Sequence, residues 1–132
     1  MDIGQILKKA RVVAVVGISD KPERPSYQVA SYLLEQGYEI VPINPNIKKW
    51  KGIACLPSLS DVEGEVDIVD IFRKSEAVPD IVDEAITLGA DVIWMQLGVI
   101  NEKSAEIARN AGIVVIMDKC IKIEHQLRFQ KD

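Results

Sequence analysis

The chain has 132 residues, enough for one ordinary domain that buries roughly two-thirds of its unfolded surface and too few for a second core. With 48% hydrophobic and 27% charged residues it has the profile of a soluble globular protein. A formal net charge of −4 leaves no footprint for nucleic acid or an anionic membrane, so an anionic ligand has to be held by local cations and backbone N–H groups. Residues 1–9 lack the cationic-then-apolar order of a secretory signal, and apolar runs such as Val12–Val16 are too short to cross a bilayer. Cys55 and Cys120 make no disulfide framework and lack metal-ligand spacing, so a reducing cytoplasm is the expected compartment.

Ile3, Ile6, Leu7 and Ala10 recur at helical spacing and predict a short amphipathic opening helix. Residues 11–16 run apolar without alternation and stop at Gly17, the pattern of a strand covered on both faces in a parallel sheet. After a polar turn, Ser26 is placed to cap a helix carrying Val29, Ala30, Leu33 and Leu34, and Gly37 to close it. Residues 39–43 predict a second strand ending at Asn44-Pro45, followed by a less regular stretch with Trp50 and Gly52. Residues 67–72 predict a third strand. The helix over Ile81, Val82, Ala85 and Ile86 starts at Ser75 or at Pro79 and stops at Gly89. A strand at 91–95, a helix capped by Asn101 and ended by Gly112, and a strand at 113–117 complete the pattern, while 120–129 fits strand or helix. This alternation predicts a single α/β domain over residues 1–132. Its expected form is a Rossmann-like doubly wound parallel sheet of about five strands, with helices on both faces in three α/β/α layers.

In such open sheets ligands bind outside the carboxyl ends of the strands, near the point where strand order reverses. That rule selects Gly17, Ile18, Ser19, Lys21, Arg24, Ser26 and Tyr27 after the first strand and Asn44-Pro45 after the second. It also selects Phe72 and Arg73, then Gln96 and Gly98, and residues 118–120. Gly17 lets backbone approach a ligand, the helix that follows offers free N–H groups and a positive dipole end, and Lys21 and Arg24 add cations. The turn lacks G-x-G-x-x-G and is longer than that motif, and Asn44 stands where an NAD site wants an acid for the ribose. NAD is therefore disfavoured, and no Walker A sequence is present.

Residues 15–20, Pro25-Ser-Tyr27, residues 41–45 (Val-Pro-Ile-Asn-Pro), residues 69–73 (Val-Asp-Ile-Phe-Arg), residues 94–98 (Trp-Met-Gln-Leu-Gly) and residues 117–120 (Met-Asp-Lys-Cys) follow one another in register. Together they resemble the small stand-alone CoA-binding proteins related to the N-terminal domain of the succinyl-CoA synthetase α subunit. The resemblance spans nearly the whole chain. It implies a Rossmann-like domain that binds coenzyme A, or an acyl-CoA, at the strand carboxyl ends. By that resemblance Gly17, Ser19 and Lys21 meet the phosphates and Asn44 and Pro45 lie beside the adenosine. Phe72 and Arg73 line the cleft, with Arg73 free to pair with a phosphate, and Gln96 and Gly98 follow the pantetheine arm. Lys74 and Lys119 add local positive charge.

The catalytic members of that family use a phosphorylated histidine and a nucleotide-grasp domain, for which the chain has no room. The expected function is non-catalytic CoA binding by a cytoplasmic module, alone, as a homo-oligomer or with a partner subunit. Two alternatives stand beside it: a subunit of an acyl-CoA-processing enzyme, and a Rossmann domain for NAD(P) or another nucleotide. Cys120 and His125 read as a half-buried cysteine and a surface histidine rather than a nucleophile pair, and Cys120, at a strand carboxyl end, is placed to form a mixed disulfide with the CoA thiol. Asp80, Asp83 and Glu84 read as a solvated helix face, without metal spacing. Gly17→Val is expected to weaken CoA binding more than stability.

Overall fold

A computed structural model describes residues 1–130. Asp2 opens helix α1 (Ile3–Lys9) with a capping box to Gln5. Strand β1 (Val12–Val16) leads through a long turn to α2 (Pro25–Glu35), then to β2 (Glu39–Ile43). A small antiparallel hairpin, β3 (Lys49–Trp50) with β4 (Ile53–Ala54), and a 3-10 turn at Leu59–Asp61 occupy the stretch that reads as irregular in the sequence. Next come β5 (Ile68–Ile71), α3 (Val78–Leu88), β6 (Val92–Met95), α4 (Glu102–Asn110), β7 (Val114–Ile116) and α5 (Ile121–Phe129).

The five longer strands form one wholly parallel sheet in the order β2-β1-β5-β6-β7. The mostly apolar runs of β1, β5 and β6 follow from burial on both faces. Ala14, Val16, Val69, Ile71, Ile93 and Met95 face α3 and α4, packing with Val78, Ile81, Val82, Ala85, Ala105 and Ala108. The alternate residues Val13, Val15, Ile68, Val92 and Trp94 face α1, α2 and α5, where Leu7, Val29, Leu33 and Ile121 meet them. The result is the expected Rossmann-like α/β/α sandwich.

From β2 the chain crosses over β1 to reach β5. The neighbouring strands β1 and β5 thus feed helices on opposite faces, α2 on one and α3 on the other. A crevice opens between their carboxyl ends, the switch point at which doubly wound sheets bind ligands.

Several expected boundaries shift. Ser26 does not cap α2: Arg24 is the N-cap with no side-chain bond, and Pro25 takes the first turn, where its missing N–H costs nothing. Likewise α3 starts at Val78-Pro79, because Ser75–Ala77 winds as a separate 3-10 turn. The ambiguous tail is helix α5. His125 is buried, not on the surface: its ring packs against Tyr32, Tyr38 and Phe129, and its Nδ1 lies 2.6 Å from the Tyr32 hydroxyl.

Candidate functional site at the carboxyl ends of the strands

The β1 turn begins with Gly17 at φ +87°, a conformation that side chains disfavour. A Cβ here would stand 2.4 Å from the Phe72 carbonyl oxygen and 2.8 Å from Arg73 Cδ. The glycine lets the loop after β5 lie directly across the end of β1. Beyond it Ile18 is fully buried and anchors the turn. Ser19 Oγ accepts from Lys21 N at 3.1 Å, and Ser26 Oγ accepts from Ser19 N at 2.9 Å. Asn44, at the end of β2, donates from Nδ2 to the Ile18 carbonyl at 2.7 Å while its Oδ1 accepts from Asn46 N at 2.8 Å. The three polar residues singled out in the sequence therefore shape the turn itself.

This turn walls a cavity of about 660 Å³ lined by Gly17, Ile18, Ser19, Lys21, Arg24, Ser26, Asn44 and Phe72. The first turn of α2 has no side-chain cap and borders it. Uncapped N–H groups at a helix start, two cations and a glycine-opened backbone together make a surface suited to a phosphate. Lys21 and Arg24 are exposed and form no ion pair among the described residues.

A second cavity of about 460 Å³ lies on the α3 side of the sheet and shares Gly17, Asn44 and Asn46 with the first. Pro45, Arg73, Pro57, Ser58, Ile81 and Glu84 also line it. Glu84 is thus not simply part of a solvated face. Its Oε2 takes a short hydrogen bond from the Ser58 hydroxyl and another, at 3.2 Å, from Ser60 N. The contact joins positions 26 residues apart, so helical periodicity alone gives no sign of it.

The remaining residues selected from the sequence lie apart from both cavities. Tyr27 packs edge-on against Trp50 at 5.7 Å and faces a shallow hollow with Gln28 and Lys51. Gln96 is buried and its Oε1 accepts from Ile121 N at 3.1 Å, so it holds the start of α5. Gly98 donates its N–H to Asp118 Oδ1 at 2.8 Å. Cys120 is half-buried at the N-terminus of α5, and both cysteines are free thiols. A third hollow, of about 310 Å³, lies at the amino ends of the strands. There Asp67 Oδ2 is already occupied by Arg11 N at 2.8 Å and Val12 N at 2.9 Å, which leaves that carboxylate committed to the fold.

A parallel sheet with polar groups gathered at the β1–β5 switch point defines the class of Rossmann-like doubly wound α/β folds. Within it, residues 11–126 match the CoA-binding domain family, and the chain belongs to that family. It is 40% identical over 124 residues to the Bacillus subtilis (strain 168) protein YneT, covering 94% of this chain and 92% of that one. It is 31% identical over 102 residues to the Archaeoglobus fulgidus acetate–CoA ligase [ADP-forming] II, covering 74% of this chain but only 15% of the ligase. A solved structure of a Pyrococcus horikoshii OT3 protein superposes with a TM-score of 0.93 at 36% identity, covering 96% of this chain and 89% of that one. No helix among the described residues is long and apolar enough to cross a membrane.

Proposed function

We propose that the chain binds coenzyme A, free or acylated, across the carboxyl ends of β2, β1 and β5, with the diphosphate at the Gly17 turn. The uncapped start of α2, opening on the same cavity as Lys21 and Arg24, carries this reading. Backbone N–H groups and local cations supply the attraction that a net charge of −4 does not. Asn44 disfavours NAD, because its carboxamide is spent on Ile18 and Asn46 instead of offering a carboxylate to a ribose. Gly98, and Gln96 through its hold on α5, lie toward the β6 side, where the pantetheine arm would run. Free Cys55 and Cys120 suit a reducing cytoplasm. Isothermal calorimetry with CoA, NAD, NADP and ATP tests the reading: micromolar binding of CoA alone is expected, and NAD binding without CoA binding overturns it.

A second reading has one observation in its favour. The segment similar to this chain makes up 15% of a much longer ligase, so the module is compatible with work as one part of an acyl-CoA-processing assembly. Turnover of acetyl-CoA or succinyl-CoA by the purified chain would show an activity of its own; its absence together with CoA binding favours a carrier or regulatory module.

A further inference from the structure

The two edges of the main sheet are finished differently. At β2 the edge is closed: Leu56 N donates to the Pro42 carbonyl at 3.0 Å, Asn44 N donates to the Leu56 carbonyl at 2.9 Å, and Pro42 itself offers no N–H. At the opposite edge, β7 and its flanks read Ile113-Val-Val-Ile-Met117, without a charge or a proline. Among the described residues no strand or bridge pairs with the outer side of β7. Val114 N donates to the Asp91 carbonyl and Val114 pairs with Val92. The alternation of the ladder therefore turns the N–H and the carbonyl of Val115 away from β6, into the open. The Ile113 carbonyl and the Met117 N–H point the same way and have no backbone partner among the described residues. No residue of β7 is fully buried, whereas every residue of β5 and β6 is.

Charge on the neighbouring helix narrows the choice of partner. Ala105 and Ala108 turn α4 toward the sheet. In a right-handed crossover this places Glu102 and Arg109, about two turns apart, along the side of α4 above the open edge. Both are exposed, and neither forms an ion pair among the described residues.

We propose that β7 pairs with β7 of a second copy of this chain, antiparallel about a two-fold axis through Val115, to make one continuous sheet across a homodimer. Val115 exchanges both of its hydrogen bonds with Val115 of the second copy, and each Met117 N–H reaches the opposite Ile113 carbonyl. The same axis sets the two α4 helices side by side and antiparallel, with Glu102 of each against Arg109 of the other. The surface is thus complementary to itself in hydrogen bonds and in charge, as an isologous contact requires. A strand from an unrelated protein would match the edge but not the charges on α4. The crevices at the strand carboxyl ends stay open, at opposite ends of the dimer.

Analytical ultracentrifugation over a concentration series tests the proposal. A reversible monomer–dimer equilibrium with a Kd of about 10 μM is expected of so small an interface. Val115→Pro removes the outward N–H and leaves the bonds to β6 in place, so it should be a folded monomer. Arg109→Glu, which sets like charges against Glu102, should weaken dimerisation about tenfold. Glu102→Arg combined with Arg109→Glu should restore it, because the two ends of α4 then exchange signs. A native protein still monomeric at about 200 μM, far above that constant, overturns the proposal. So does a dimer that persists undiminished in both folded single variants, or one that the combined exchange fails to recover.

Discussion

Asn44 donates a 2.7 Å hydrogen bond to the carbonyl of Ile18, tying the end of β2 to the turn that follows β1. Its other amide atom accepts from Asn46, so one side chain serves as donor and acceptor in opposite directions. An aspartate cannot do this, since it would point a carboxylate oxygen at a carbonyl oxygen. Asn44→Asp should therefore cost about 1–3 kcal/mol of stability and weaken CoA binding. It should gain no affinity for NAD, even though it restores the acid that NAD folds carry there. Urea unfolding with calorimetry on the variant checks both outcomes, and a gain of NAD binding would show that the turn is not what excludes NAD.

Gly17 supports both fold and site. At its φ of +87°, with Phe72 O 2.4 Å from the Cβ position, Gly17→Ala is expected to cost at least about 1–2 kcal/mol from backbone strain alone, and Gly17→Val more. The sequence-based expectation that binding suffers more than stability changes accordingly, because the two fall together. Lys21→Ala is the cleaner probe. Its side chain is exposed, so the unfolding midpoint should hold while CoA affinity drops about three- to tenfold, with a shallower salt dependence.

Asp70 lies on the central strand β5 between Val15 and Trp94, fully buried, with neither carboxylate oxygen hydrogen-bonded. Burial pushes its carboxyl well above the usual 3.8. The folded chain holds this proton while the unfolded chain releases it, so the Asp70 contribution to stability is fully present below about pH 3.8 and declines as pH rises toward the raised folded value. The slope is at most about 1.4 kcal/mol per pH unit for one proton. Asp70→Asn should remove this slope and gain on the native chain between pH 5 and pH 8. An equal stability difference at both pH values in urea titrations would refute the assignment.

His125 sends its contribution the other way. Burial pushes its imidazole below the usual 6.5, so the folded ring stays neutral when the unfolded one takes up a proton. Stability is then lost as pH falls below about 6.5 toward the lowered folded value. His125→Phe keeps a ring against Tyr38 and Phe129 and loses the Tyr32 bond, at a cost of about 1 kcal/mol near neutral pH. The stability of the native chain relative to this variant should fall between pH 6.5 and 5, because only the native chain carries the His125 contribution. Thermal unfolding across that range reads the difference.

The parts visible in the sequence are those that depend on near neighbours. Mostly apolar runs marked every strand of the main sheet, and Gly37, Gly89 and Gly112, all at positive φ, marked the ends of three helices. The uncapped start of α2 was not legible: Ser26, expected to cap the helix, spends its hydroxyl on Ser19 N inside the turn. The β3–β4 hairpin was missed because its strands have two residues each and its turn uses Lys51-Gly52, with φ of 49° and 79°, in place of the usual Asn-Gly. Glu84 and His125 were misplaced for a related reason. Their partners Ser58 and Tyr32 stand 26 and 93 positions away, and no periodicity within a helix encodes such contacts.

The loops after β6 and β7 are bound to one another by Gly98 N to Asp118 Oδ1, Lys119 N to the Met95 carbonyl, Trp94 Nε1 to the Lys119 carbonyl and Gln96 Oε1 to Ile121 N. A ligand arriving at this side meets a platform whose entropy of ordering has already been spent in folding. On the β1 side, residues 20–25 are exposed and the loop has more freedom to lose. Association should then proceed as an asymmetric closure, with the amides of Asp20, Lys21, Glu23 and Arg24 gaining hydrogen-exchange protection on binding while those of residues 96–121 change little.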